Sequence, residues 1–101
     1  MATNKLRAIH PGEILREEFL MPLALTSHKL AMSLHVPATR INDVVREKRG
    51  ITTDTAIRLA RFFGTSAEFW LGLQNSYDLK VADEQGVGQK IAQEVSPLMA
   101  A

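Results

Sequence analysis

The sequence of 101 residues contains no cysteine, few aromatic residues (6%) and no long apolar run. Without cysteine there can be no disulfide framework, cysteine-based zinc site or cysteine nucleophile, which is consistent with a reducing compartment. A membrane-spanning helix needs roughly 18 or more consecutive apolar residues, and a secretory signal peptide needs a basic start followed by an apolar stretch. Because the sequence shows neither pattern, we expect a cytoplasmic protein that does not insert into membranes.

Hydrophobic residues make up 46% of the chain and charged residues 23%, a balance typical of a single globular domain. The net charge of +1 hides an asymmetry, because residues 1–64 carry a net charge of +4 and residues 65–101 a net charge of −3. The basic residues are densest in and around residues 40–49. Such a basic region favours binding to a phosphate backbone, because binding releases counterions. The solvated face of an ordinary helix bundle is an alternative explanation.

Residues 26–46 have the spacing of two short helices joined by a tight turn. Thr26 is a candidate N-cap for a helix that begins near Ser27, and three small or apolar residues follow at helical spacing: Leu30, Ala31 and Leu34. His35 is predicted at the turn, where the backbone needs a positive φ. Glycine is usual at such a position, but histidine is among the other residues enriched there. The stretch therefore predicts a helix-turn-helix.

The second helix of this pair is predicted from about Pro37 to Arg46, with Ile41, Val44 and Val45 facing the core. The remaining residues turn outward or sideways: Ala38, Thr39, Arg40, Asn42, Asp43 and Arg46. Arginine pairs with guanine and a methyl group packs on thymine, so we predict four base-contacting residues: Ala38, Thr39, Arg40 and Asp43. Phosphate contacts are predicted for seven others: Thr26, Ser27, His28, Lys29, Arg46, Lys48 and Arg49.

Capping signals predict three more helices. The first opens at residues 10–13, with Pro11 at its first position, and ends before Pro22. In this helix His10 and Glu13 are interpreted as capping residues rather than metal ligands. Another helix begins after Thr52 and ends at Gly64. A capping box formed by residues 65–68 then opens the fifth helix.

An aromatic and apolar cluster follows that capping box, formed by Phe69, Trp70, Leu73 and Tyr77. We interpret it mainly as core, with a dimer interface as the alternative, because a short chain has little capacity to bury so much apolar surface. Beyond Asp78 the pattern is weaker. Residues 89–95 predict one or two helical turns with Ile91 and Val95 inward, and residues 80–87 could instead pair as a short strand. Five helices without strand alternation predict an all-α fold.

The helix-turn-helix stretch resembles that of the Xre/Cro repressor family. Three further segments are similar to the HigA/VapI-type antitoxins: IHPGEILREEFL at residues 9–20, RIND at 40–43 and RGITTDTAIRLARFFGTSAEFWLGLQNSYDL at 49–79. The resemblance implies a five-helix, lambda-repressor-like bundle with a C-terminal helical extension. Residues 9–79 would form the DNA-binding domain, residues 1–8 a flexible N-terminal arm, and residues 80–101 an extension that is a candidate dimerisation element.

The expected function is sequence-specific binding of a palindromic double-stranded DNA operator by a homodimer. The resemblance further implies an antitoxin that neutralises a co-encoded RelE-like ribonuclease and represses its own operon. The alternative is an Xre/Cro-type repressor without a toxin partner. Catalysis is disfavoured because the three histidines, His10, His28 and His35, form no recognisable catalytic or metal-binding pattern. We therefore predict no catalytic residue, metal or cofactor.

Overall fold

A computed structural model describes residues 7–99 of the chain. Most of the predicted N-terminal arm, and the last two residues of the extension, lie outside the described residues. Within the described range the chain is helical and contains no strand, which confirms the all-α prediction. The helices are α1 (Pro11–Ile14), which continues directly into a π-helical segment (Leu15–Leu20), α2 (Ser27–Leu34), α3 (Ala38–Val45), α4 (Thr53–Phe63), α5 (Ala67–Glu84) and α6 (Val87–Glu94). With the π-helical segment counted as part of the first helix, the described range has six helices, whereas the sequence predicted five.

Helix α1 begins as its capping residues predict. The buried His10 is the N-cap, and its Nδ1 accepts a hydrogen bond of 2.8 Å from the Gly12 amide. The π-helical continuation was not predicted, and in it the Met21 amide donates to the Arg16 carbonyl at 3.0 Å. The segment ends at Leu20, before Pro22, because proline has no amide with which to continue a helix.

Helix α1 lies directly against the end of α3. A Cβ atom added to Gly12 would sit only 1.8 Å from the Val44 carbonyl oxygen, so no side chain fits at this crossing. One helical turn further on, the Arg16 guanidinium donates to the Val45 carbonyl at 2.6 Å. These two contacts fix the C-terminal end of α3 against α1.

Helices α2 and α3 form the predicted helix-turn-helix. The Thr26 hydroxyl caps α2 by accepting from the Lys29 amide at 3.1 Å. His35 adopts the left-handed conformation expected for the turn, with φ 59°. Pro37 is the N-cap of α3 rather than its first residue, so α3 starts slightly later than predicted. The Ser27 hydroxyl donates to the Asn42 side-chain oxygen and thereby ties the start of α2 to the middle of α3.

The core is built from α1 to α4 and the first turn of α5. Its buried apolar residues are Leu15, Leu20, Leu30, Ala31, Leu34, Ile41, Val44, Ile51, Ala56, Leu59 and Trp70. Trp70 is completely buried, with its ring centroid 5.0 Å from that of Phe19. For Trp70 the core interpretation is therefore confirmed, and the dimer-interface alternative is wrong. Of its three companions, Leu73 and Tyr77 are half-buried and Phe69 is exposed.

The start of α5 differs from the predicted capping box. Ser66, not Thr65, is the N-cap, and its hydroxyl accepts from the Phe69 amide at 3.0 Å. The Thr65 hydroxyl instead accepts a 2.8 Å hydrogen bond from the indole nitrogen of Trp70. A buried indole N–H needs an acceptor, and Thr65 provides it.

The C-terminal part of the chain is more helical than predicted. Helix α5 runs without interruption to Glu84, so the short-strand alternative for residues 80–87 is wrong. Helix α6 packs against α5 but has no buried residue. Ile91 and Val95 are 49% and 62% exposed, so the prediction that they face inward is also wrong for the single chain. None of the helices between residues 7 and 99 has the length and apolar character needed to cross a membrane.

Candidate nucleic-acid interface

The outer face of α3 carries most of the predicted base-contacting residues. Ile41 and Val44 are completely buried on the inner face, while Thr39 is exposed and Asp43 is half-buried. Arg40 is also half-buried, with 30% of its side chain exposed. Ala38 differs, because it packs partly against the core. Its methyl group is therefore a weaker candidate for a base contact than the other three.

Arg40 is held in place by a carboxylate from α4. Its guanidinium donates to Asp54 Oδ2 at 2.5 Å, and the same oxygen accepts from Arg58 at 2.8 Å. Arg58 also donates to the Leu34 carbonyl, at the end of α2, at 2.8 Å. The hydrogen bonds from Arg58 and Arg40 lower the pKa of the Asp54 carboxyl below its ordinary value.

Sequence reasoning missed this network. In the sequence, Asp54 is only an acidic residue two positions after the Thr52 cap, where its charge favours the helix N-terminus. The spacing of Asp54 and Arg58 is a signal for their ion pair, since residues four positions apart share a helix face. Nothing in the spacing connects Asp54 to Arg40, because that contact depends on how α3 and α4 pack.

The start of α2 lies beside α3 because of the bond between Ser27 and Asn42. His28 and Lys29 are exposed there, whereas the hydroxyls of Thr26 and Ser27 are already engaged within the protein. Their contribution to an anion site would therefore come mainly from backbone amides, since the first amides of a helix have no intrahelical partner.

The loop after α3 supplies the remaining basic residues. Arg46, Lys48 and Arg49 are all exposed. Arg49 lies 3.6 Å from the carboxylate of Asp43, which links the loop to the outer face of α3. The structure therefore brings the predicted base-contacting and phosphate-contacting residues to the α2–α3 pair and its adjoining loop, with Asp54 added from α4.

The three histidines lie in separate places in the described part of the chain. His10 is committed to capping α1, while His28 and His35 are exposed at opposite ends of α2. No group of three or more potential metal ligands occurs among residues 7–99.

Comparisons with known sequences agree with this architecture. The helix-turn-helix family model matches residues 15–70. Virulence-associated protein I of Dichelobacter nodosus is 59% identical over 81 residues, which cover 80% of this chain and 75% of that protein. Antitoxin HigA-1 of Vibrio cholerae is 35% identical over 98 residues, which cover 97% of this chain and 90% of that protein.

Solved structures show the same relationship. The Pseudomonas aeruginosa antitoxin HigA, solved with the higBA promoter, matches with a TM-score of 0.85 and 52% identity, covering 92% of this chain and all of that one. The antitoxin GraA, solved in complex with its operator, matches with a TM-score of 0.86 and 42% identity, covering 94% and 95% of the two chains. This chain therefore belongs to the Xre-type helix-turn-helix family and, within it, to the HigA-type antitoxins, a family of DNA-binding antitoxins and regulators rather than enzymes.

Proposed function

We propose that this protein is a sequence-specific DNA-binding repressor that places α3 in the major groove of its operator. The observation that carries the proposal is the outer face of α3, which presents an arginine held by α4 together with an exposed threonine and a partly exposed aspartate. The operator and promoter complexes of the similar GraA and HigA structures support it.

Within this arrangement Arg40 is the main base-contacting residue. A guanidinium has five N–H donors, so the bond to Asp54 leaves donors for the O6 and N7 atoms of guanine. Thr39 and Asp43 would contact neighbouring base edges. Contacts to phosphates would come from His28 and Lys29, from the backbone at the start of α2, and from the basic loop of Arg46, Lys48 and Arg49.

The proposed binding unit is a homodimer on a palindromic operator, with the two α3 helices about 34–36 Å apart. We propose that a second copy covers the apolar strip of α6, formed by Val87, Ile91 and Val95, which are exposed in the single chain. Lys90 and Glu94 lie on the same short helix with opposite charges. Such a pattern is self-complementary when two copies run antiparallel about a two-fold axis.

The operator-binding proposal is tested by comparing Arg40→Ala with Lys48→Ala. Arg40→Ala should weaken binding to the operator by about 1–3 kcal/mol and relax the preference at one base pair of each half-site. Lys48→Ala should weaken binding to all sequences alike and reduce the salt slope by about one unit. Titrations of operator and random duplexes at two salt concentrations measure both effects.

A result in which Arg40→Ala binds operator and random DNA as the parent does would contradict the assignment of α3 as the recognition helix. Circular dichroism of each variant should match the parent, which separates loss of a contact from loss of the fold.

We also propose that the protein neutralises a RelE-like ribonuclease toxin encoded beside it and represses the shared operon. Its place among the HigA-type antitoxins supports this role. The alternative, a regulator without a toxin, is favoured by the 44% identity over 69 residues to YbaQ of Escherichia coli, which is described as an HTH-type transcriptional regulator. Expression of this gene with its neighbour distinguishes the two. A co-purified partner whose ribonuclease activity appears only after separation supports the antitoxin role, and a harmless, non-binding neighbour contradicts it.

A further inference from the structure

The carboxylate of Asp54 joins the three helices that surround the candidate DNA-binding face. One of its oxygens accepts from Arg40 on α3 and from Arg58 on α4. Arg58 is itself anchored to the Leu34 carbonyl, beside the turn of the helix-turn-helix. The position of the Arg40 guanidinium is therefore set by α2 and α4 as well as by α3.

We propose that Asp54 is a positioning residue for DNA recognition, which orients Arg40 toward its base pair without itself contacting DNA. The inference rests on the proposed function, because it assumes that Arg40 contacts a base. A free arginine side chain has many rotamers, and ordering them weakens binding. A guanidinium that is already fixed in the free protein loses less of this freedom when it meets a base edge.

The negative charge of Asp54 should oppose DNA binding, so a positioning role can be distinguished from a direct contribution to DNA affinity. The carboxylate is 55% exposed beside a surface that would face phosphates, and a negative charge there is repelled by DNA. Removal of Asp54 leaves Arg40 and Arg58 with one more net positive charge. Binding to random DNA should therefore stay the same or become tighter, while discrimination between sequences falls.

The experiment uses the full chain with its operator, the operator changed at one base pair and a random duplex. The base pair assigned to Arg40 is the one at which Arg40→Ala relaxes the preference. Asp54→Ala should lower discrimination at that pair by about three- to tenfold, a part of what the whole arginine contact provides. Asp54→Asn keeps an acceptor oxygen but loses the charge, so it should fall between Asp54→Ala and the parent.

Glu68→Ala is the matched control. Glu68 holds the same place in the first turn of α5 that Asp54 holds in α4, and it forms no ion pair among the described residues. Both substitutions remove an acid that favours a helix N-terminus, but only Asp54→Ala releases Arg40. Glu68→Ala should keep the discrimination of the parent.

The possible outcomes separate the two proposals. If Arg40→Ala relaxes one base pair and Asp54→Ala does not, the positioning role is wrong and the proposed function stands. The same conclusion follows if Asp54→Ala weakens binding to all duplexes equally, since that is the result of a purely structural role. If Arg40→Ala leaves the preference unchanged, both proposals are wrong. In the Arg40→Ala background, Asp54→Ala should cause no further loss of discrimination.

Discussion

The two ends of this chain are held by different means. Every buried apolar residue of the described range lies between Pro11 and Trp70, whereas α6 has none. The charge divides in a similar way, with a net +4 in residues 1–64 and −3 in residues 65–101. The region from Pro11 to Trp70 is stabilised by its own core, whereas α6 has only its packing against α5. The proposed DNA-binding face and the proposed self-association surface therefore lie in different parts of the chain.

The rigidity of the first region has a specific origin in the contact between α1 and α3. Gly12 allows the two backbones to meet, and Arg16 bridges to the end of α3. Gly72, in the interior of α5, has no such contact, because a Cβ added to it would meet nothing within 4 Å. The same residue type is thus required in one region and only tolerated in the other.

The largest expected effect breaks the α1–α3 contact. Gly12→Ala should lower the free energy of unfolding by about 3 kcal/mol or more, because the added methyl collides with backbone that cannot rotate away. Gly72→Ala is the control and should be neutral or stabilising by up to about 1 kcal/mol, since alanine favours a helix interior. Urea denaturation measures both. Equal stabilities of the two variants would show that α1 and α3 can separate without cost.

The second prediction concerns the exposed strip of α6. Ile91→Asp should weaken the proposed dimer by about 2 kcal/mol, because it places a charge in an apolar interface. Ile57→Asp is the matched control on α4, since Ile57 is 56% exposed compared with 49% for Ile91. Sedimentation velocity over a range of concentrations measures the association. A dimer that is unaffected by Ile91→Asp but lost with Ile57→Asp would place the interface on α4 instead.

The features that the sequence predicted are those set by local chemistry. Caps by His10, Thr26 and Thr52, the left-handed turn at His35 and the C-cap at Gly64 each depend on a few neighbouring residues. The core positions of α2 and α3 were also predictable, because helical periodicity places them on one face of each helix.

The features that it missed depend on how the helices pack. Whether Thr65 or Ser66 caps α5 is decided by Trp70, whose indole nitrogen takes the Thr65 hydroxyl. The link from Asp54 to Arg40 crosses between helices, so spacing along the chain does not reveal it. The length of α5 was underestimated because residues 80–84 have no clear periodicity. The DNA contacts, the dimer and the toxin remain predictions.

The smallest expected effect is a pH dependence of the free energy of unfolding, which arises from His10 at the start of α1. His10 is 4% exposed, its ring meets Tyr77 edge-on at 4.9 Å, and burial lowers its pKa below the ordinary value of 6.5. Glu47 and Asp78 oppose this shift and Arg16 adds to it. The neutral ring is also needed for the cap, because a protonated Nδ1 cannot accept from the Gly12 amide.

The unfolded chain therefore binds a proton at His10 more readily than the folded one. The stabilisation by neutral His10 is complete above pH 6.5 and is lost as the pH falls from there through the lower pKa of the folded state. Its size should be about 1 kcal/mol, the usual value of a helix N-cap. His10→Asn supplies a cap that does not titrate, so urea denaturation of this variant should lose that part of the pH dependence. His28→Asn removes an exposed histidine and should keep it. If both variants show the same pH dependence of stability as the parent, protonation of His10 does not affect stability, and the prediction is wrong.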